Sequence, residues 1–283
     1  MSWFTLALVS IVTLSLATLL QRILMKEEES NPIASAIIFQ FMLGAYVLVF
    51  ALALGRFVWP PDEISYLRFL ISALLWAGTT FFSFQAIKFL GAGETSILVS
   101  SSAVVSIVLG VLLLKEVLTL PIILGFVLIL GAIVVVNSEH LTFKSRRGII
   151  FCLLTALFSG IAVVNDVIIL ATYEAFSYTA VMSFLPGVIL AFIFPKEVVK
   201  VKKFLKLKEF RLMALLTFFY AIQAVTYYLA YQEGAPISTL ATITKAAIVL
   251  TVILAAIFLK ERSNLPKKAL AALMVTVGAI LIS

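Results

Sequence analysis

The stretch "ISTLATITKAAIVLTVILAAIFLKE", residues 237–261, decides how this chain is read. As an α-helix rising ~1.5 Å per residue, it is long enough to cross a ~30 Å hydrocarbon core. Two of its features are not needed by a span that merely faces lipid. Lys245 stands near the middle, and the run stops abruptly on Lys260–Glu261.

Blocks of the same kind fill the rest of the chain. Of 283 residues, 63% are hydrophobic and 12% charged, and the mean hydropathy is +1.18, far from the balance of a soluble domain. The sequence therefore predicts an all-α integral membrane protein with ten transmembrane helices. Breakers and charges place them near residues 3–24, 33–55, 66–89, 94–114, 119–137, 148–171, 176–194, 210–231, 236–259 and 265–282. The alternating strands of a membrane barrel are absent, so the backbone must satisfy its hydrogen bonds within helices. No stretch is left over for a soluble catalytic domain.

With ten spans, the loops after the odd-numbered ones share a side, and most of the Lys and Arg residues fall there, Arg22 and Lys88 included. Arg56, Arg68 and Lys115 fall on the other side. The positive-inside rule makes the basic side cytoplasmic, which puts both termini outside a cell membrane. Lipid orientation thus explains the net charge of +7 without nucleic acid. The basic loop "PKEVVKVKKFLKLKEFR", residues 195–211, reads as an amphipathic segment lying on the membrane surface, in contact with lipid. The first span lacks a basic leader and a clear cleavage site, so it is expected to be a retained helix. Cys152, the single cysteine, is expected to be a packing residue. His140 has no second histidine, and neither metal-ligand spacing nor a phosphate-cradling glycine loop is present. The chain is accordingly expected to be no enzyme, to hold no cofactor or metal, and to draw any driving force from a gradient. The expected partners are a small-molecule solute and lipid, with a monomer and a homodimer both open.

Shifted by about 143 to 147 residues, the chain matches itself along its length. "LLLKEVLTLP" (112–121) pairs with "IFLKERSNLP" (257–266), and "FLGAGETS" (89–96) with "QEGAPIST" (232–239). "QFMLG" (40–44) pairs with "SFLPG" (183–187), and "TLSLATLLQR" (13–22) with "LFSGIAVVND" (157–166). The expected domains are therefore two five-helix repeats, residues 1–141 and 142–283. An odd number of spans per repeat forces the second copy to enter the membrane inverted. Inverted repeats supply two related conformations and so suit alternating access.

These features resemble the EamA-type transporters of the drug/metabolite transporter superfamily. The resemblance rests on the five-plus-five repeat and on the apolar–Lys–Glu ending of the fourth helix in each half, Lys115–Glu116 and Lys260–Glu261. It implies a transporter of small metabolites whose helices 1, 3, 4, 6, 8 and 9 surround a cavity, while 2, 5, 7 and 10 support them. Members commonly break the fourth helix of each half with a proline. Here the matching stretches read "SSSAVV" (100–105) and "TITKAA" (242–247), without one.

Polar residues inside spans are the site candidates, because an ionised group at membrane depth is costly unless it faces a cavity or a partner. Lys245 lies roughly 13 Å from one end of its span and 22 Å from the other, and Ser238 and Thr242 share its helix face. Asp166, beside Asn165, is the one carboxylate clearly inside a span. It has three open readings: an ion pair with Lys245, a proton site, or a substrate contact. Gln85, Gln223, Tyr227 and Tyr228 come from the matched stretches "TTFFSFQAIKF" and "IQAVTYYLAYQ", whose rings and amides suit a small, partly apolar ligand. Arg22 and Lys88, near helix ends, are expected to snorkel. The leading expectation is a secondary transporter or facilitator in which Lys245 attracts a carboxylate or phosphate. The alternatives are a proton-coupled exporter of cationic or apolar compounds using Asp166, and a scaffold or lipid-handling protein.

Overall fold

The computed structural model describes residues 2–27, 30–60, 66–102, 104–105, 108–109, 119–137, 143–235 and 244–282, and all regular structure among them is helical. The helices are α1 (Trp3–Lys26), α2 (Pro32–Ala53), α3 (Tyr66–Phe89), α4 (Ala92–Val99), α5 (Leu120–Asn137), α6 (Phe143–Leu170), α7 (Ala175–Ile193), α8 (Leu207–Gln232), α9 (Ala246–Phe258) and α10 (Leu265–Ile282). Six of them, α1, α2, α3, α6, α7 and α8, are long and apolar enough to cross a membrane. Their outward faces carry exposed apolar side chains such as Val12, Val49, Leu153 and Phe192, a belt that lipid can cover and water cannot.

Local chemistry sets the boundaries. At the "NP" turn, the Asn31 side chain accepts hydrogen bonds from the N–H groups of Ile33 and Ala34, both at 3.1 Å. Pro32, at the first helical position, has no N–H to satisfy. The basic loop after α7 does not form one amphipathic α-helix. It folds as a short helix, Pro195–Val198, followed by a 3-10 segment, Val199–Leu205, with Phe204 buried.

The principal packings pair α1 with α8, α3 with α6, α2 with α7 and α5 with α10. Each joins a helix before residue 142 to one after it. Small residues allow this closeness: a Cβ on Gly78 of α3 would sit 2.3 Å from the Phe158 ring of α6. Cys152 is fully buried beside Ala86, Leu90 and Leu98.

Two breaks occur where the prolines are missing. After α4 the chain turns at Ser100 and Ser101, whose hydroxyls donate back to the carbonyls of Ile97 (2.5 Å) and Leu98 (2.7 Å). The N–H of Val104 reaches only to the carbonyl of Ser101, at 3.0 Å. Before α9, Lys245 also stands in a turn, and the Ile248 N–H bonds to its carbonyl at 3.0 Å. Three-residue hydrogen bonds and serine back-bonding open the α-helical ladder without any proline. The span expected as one continuous helix over 236–259 is thus interrupted at Lys245; the residues before 244 lie outside the described ones.

Candidate functional site

A cavity of about 260 Å³ lies between the halves, somewhat below the ~300–1,000 Å³ usual for ligand pockets. Gln223, Tyr227 and Tyr228 of α8 line it together with Trp76, Thr79 and Ser83 of α3. Lys245 stands in the wall, half-buried, and is the single charged side chain among the described lining residues. It has no hydrogen-bond or ion-pair partner among the described residues.

The wall differs from the expected ring of helices. α2 contributes Phe39 and Gln40, and α7 contributes Thr179 and Ser183, so both are walls rather than supports. No described residue of α4 lines the cavity. Gln40 is 3% exposed, and its Nε2 donates to the Thr80 hydroxyl at 2.6 Å. Gln40 and Ser183 are matched positions of the repeat, and both face the same space. That match was visible in the sequence; what hid Gln40 was the assignment of α2 to a supporting role. Gln21, Trp76, Thr79 and Thr80 are further wall residues that sequence reasoning missed, although a polar group inside an apolar span is itself a signal.

Other candidates fall elsewhere. Gln85 is outside the lining, and Ser238 and Thr242 lie outside the described residues. Asn165 ties α6 to α3: its Nδ2 donates to the Arg68 carbonyl at 2.9 Å and to the Ser72 hydroxyl at 2.8 Å. Asp166, 1% exposed, does not pair with Lys245. It accepts hydrogen bonds from Ser72 Oγ (2.7 Å), Trp76 Nε1 (2.9 Å), Tyr228 OH (3.0 Å) and Tyr178 OH. Four neutral donors satisfy a buried carboxylate without any cation. Because Trp76 and Tyr228 both line the cavity, Asp166 stands behind its wall.

A second charged centre joins the chain's two halves. Arg22 Nε donates to Glu261 Oε1 at 2.9 Å, and Arg22 Nη1 donates to the Ile87 carbonyl at 2.8 Å. Glu261 Oε2 accepts from the N–H of Ala92 at 2.9 Å, so a carboxylate caps the N-terminus of α4. Arg22 is thus an ion-pair partner rather than a snorkelling residue. Two backbone features make this possible. Lys260 adopts φ +56°, the left-handed conformation that usually ends a helix on glycine, and this turns Glu261 inward. A Cβ on Gly91 would sit 2.5 Å from Glu261 Oε2, so a larger residue there would push the carboxylate from this position.

A helical bundle with apolar outer faces and a small, mostly neutral internal cavity is the form of a membrane carrier. The chain belongs to the EamA-like transporter family, part of the drug/metabolite transporter superfamily: the family model matches residues 1–138 and again 146–283. It is therefore a multi-pass membrane protein of a family of small-molecule transporters. A solved crystal structure, titled only "Crystal structure of protein", matches with a TM-score of 0.67 at 14% identity, over 99% of this chain and 95% of that one. At that identity the match speaks for the fold alone. Among curated proteins, none matches this sequence.

Proposed function

We propose that the protein is a secondary transporter or facilitator of a small organic solute bearing a carboxylate or phosphate. It works by alternating access between two inverted five-helix halves, residues 1–141 and 142–283, in a cell membrane with the basic loops cytoplasmic and both termini outside. The observation that carries this reading is Lys245, a cation in the cavity wall with no partner among the described residues. A charge left unpaired at membrane depth costs several kcal/mol, and an anionic ligand offsets that cost. Lys245 also stands at the start of α9, where the helix dipole adds positive potential.

Three further observations support the two-fold scheme. The family model matches twice. The principal packings map onto themselves when each helix is exchanged with the one five places along. Helix breaks at Ser100–Ser101 and Lys245 resemble the discontinuous helices that carry solute sites in inverted-repeat carriers. An exporter of cations would want an acid in the wall, and the described lining has none. The test is flux of small carboxylates and phosphates into proteoliposomes. Lys245→Ala is expected to lower it at least about tenfold, the loss of one charge-assisted contact; unchanged flux would remove Lys245 from the site.

A further inference from the structure

The register of α1 against α8 sets the level of Lys245 in the cavity. Glu27, just past the end of α1, pairs with Lys208 at the start of α8 at 2.7 Å, and the Ser10 hydroxyl donates to the Gln223 carbonyl at 3.4 Å. The two helices therefore run antiparallel, with Ser15 at the level of residues 218–220. The Ser15 hydroxyl also donates to the Ala247 carbonyl at 3.0 Å, which brings Lys245, two residues earlier, within about one helical turn of Tyr220. Leu14, Tyr220 and Lys245 all line the cavity there.

The Tyr220 hydroxyl makes no hydrogen bond among the described residues and is not enclosed, so it opens on the cavity. Its ring is held edge-on by Phe39, the centroids 5.1 Å apart. A phenol can donate, and beside an ammonium the group that takes its proton is an anion. The other end of the cavity has the opposite character. Tyr228, eight residues on and so ~12 Å farther along the helix axis, is committed to Asp166 at 3.0 Å. Trp76 donates to the same carboxylate oxygen at 2.9 Å. Both side chains line the cavity, and only they separate that end from the buried Asp166 carboxylate.

We infer that the cavity is polarised along α8 and takes anions with a single charged head. The head lies at Lys245 and Tyr220, an uncharged body extends toward Trp76 and Tyr228, and a second anionic group is turned away there by Asp166. This rests on the anion-transporter reading and narrows it to anions without a second charge at the far end. Two like charges a few side chains apart in a poorly screening interior repel enough to change affinity roughly tenfold.

The test measures binding of matched acids to the full-length purified protein by titration calorimetry at about pH 7.5, where both ends of a diacid are ionised. The pairs are butyrate and succinate, valerate and glutarate, and hexanoate and adipate. The wild type is expected to favour the monoacid, by a margin that widens with chain length to roughly tenfold as the second carboxylate nears Trp76 and Tyr228. Asp166→Asn, which keeps the shape of the side chain, should shrink that margin. Tyr220→Phe removes a hydroxyl with no protein partner, so the melting temperature of the empty protein should hold while affinity for every acid falls about three- to tenfold. That variant and the chain-length trend decide the matter if Asp166→Asn does not fold. Diacids bound as well as monoacids at every length overturn the inference, as does an unchanged margin in folded Asp166→Asn or undiminished affinity in Tyr220→Phe. If binding without preference is still lost in Lys245→Ala, the anion reading stands and only this inference falls. If no acid binds the wild type, both fall.

Discussion

Arg22 and Asp166 occupy matched positions of the repeat, yet they solve one problem with different chemistry. Each ties its own half of the chain to the other. Arg22 of α1 reaches Glu261, beyond α9, and the carbonyl of Ile87 near the end of α3. Asp166 of α6 gathers Ser72 and Trp76, in the first half of α3. The two ties are therefore separated along α3 by roughly 16–23 Å, towards opposite ends of the bundle. At one end two opposite charges meet, their side chains 16% and 14% exposed. At the other a single charge is 1% exposed and held only by neutral donors. Water reaching a separating ion pair can solvate both partners, so such a contact breaks and remakes at modest cost. Pulling a carboxylate from four donors strands a charge and several hydroxyls in an apolar interior. The Asp166 tie is therefore the costlier of the two to part.

Removing the buried carboxylate tests the stronger tie. Asp166→Ala is expected to cost about 3–5 kcal/mol of stability, because its four donors are left without an acceptor. Thermal unfolding in detergent measures it, and a loss below about 1 kcal/mol would mean that Asp166 holds nothing together. Glu261→Gln attacks the weaker tie and should cost about 2–3 kcal/mol, since it weakens both the Arg22 pair and the cap on α4. Exchanging the charges, Arg22→Glu with Glu261→Arg, should recover only part of this, because arginine cannot accept the Ala92 N–H. Full recovery in a double-mutant cycle would reduce the centre to a simple ion pair.

Much of the bundle could be read from residue order, and its joints could not. The ends of α2, α3 and α7 fall within a few residues of the expected spans, since the hydropathy blocks, the "NP" turn and the "FLGAGE" turn are local signals. Gln223, Tyr227 and Tyr228 of α8 could be singled out because they fall in a stretch that recurs in the repeat, whereas the same comparison pointed on α3 to Gln85, which lies outside the lining. Arg22 was misread because depth was counted along one helix, whereas its partner lies 239 residues away. An ion pair with Lys245 was one of three readings open for Asp166, and nothing local announces that two tyrosines, a tryptophan and a serine will converge on it. The break at Ser100–Ser101 was hidden by the habit of reading proline, not serine, as the interrupter.

Smaller effects refine the contrast between the ends. Lys260→Gly relieves a left-handed residue just before Glu261 and should stabilise the protein by up to about 1 kcal/mol. A loss of stability would show that the Lys260 side chain itself contributes at that end. Outside the membrane-spanning helices, Lys200 and then Asn31 hold the Glu197 carboxyl below its ordinary value of 4.5. A folded-state value below the unfolded one means that this contribution is complete above the unfolded value and is lost as pH falls through the folded one. The stability difference between wild type and Glu197→Gln should therefore be flat from about pH 7 to 5 and shrink as the pH falls below the ordinary carboxyl value. A difference that persists at the acid end would assign the effect to the hydrogen bond with Asn31 instead.

The burial of Cys152 has a practical consequence. It is the chain's one thiol, enclosed by Ala86, Leu90 and Leu98, so the unaltered protein is already a quiet background for cysteine-directed probes. Spin labels attached to cysteines engineered at Arg56 and Lys200 would report distances across the molecule without first deleting a native residue. The separation of the two ends could then be followed, with and without ligand, in a chain that is otherwise its natural self.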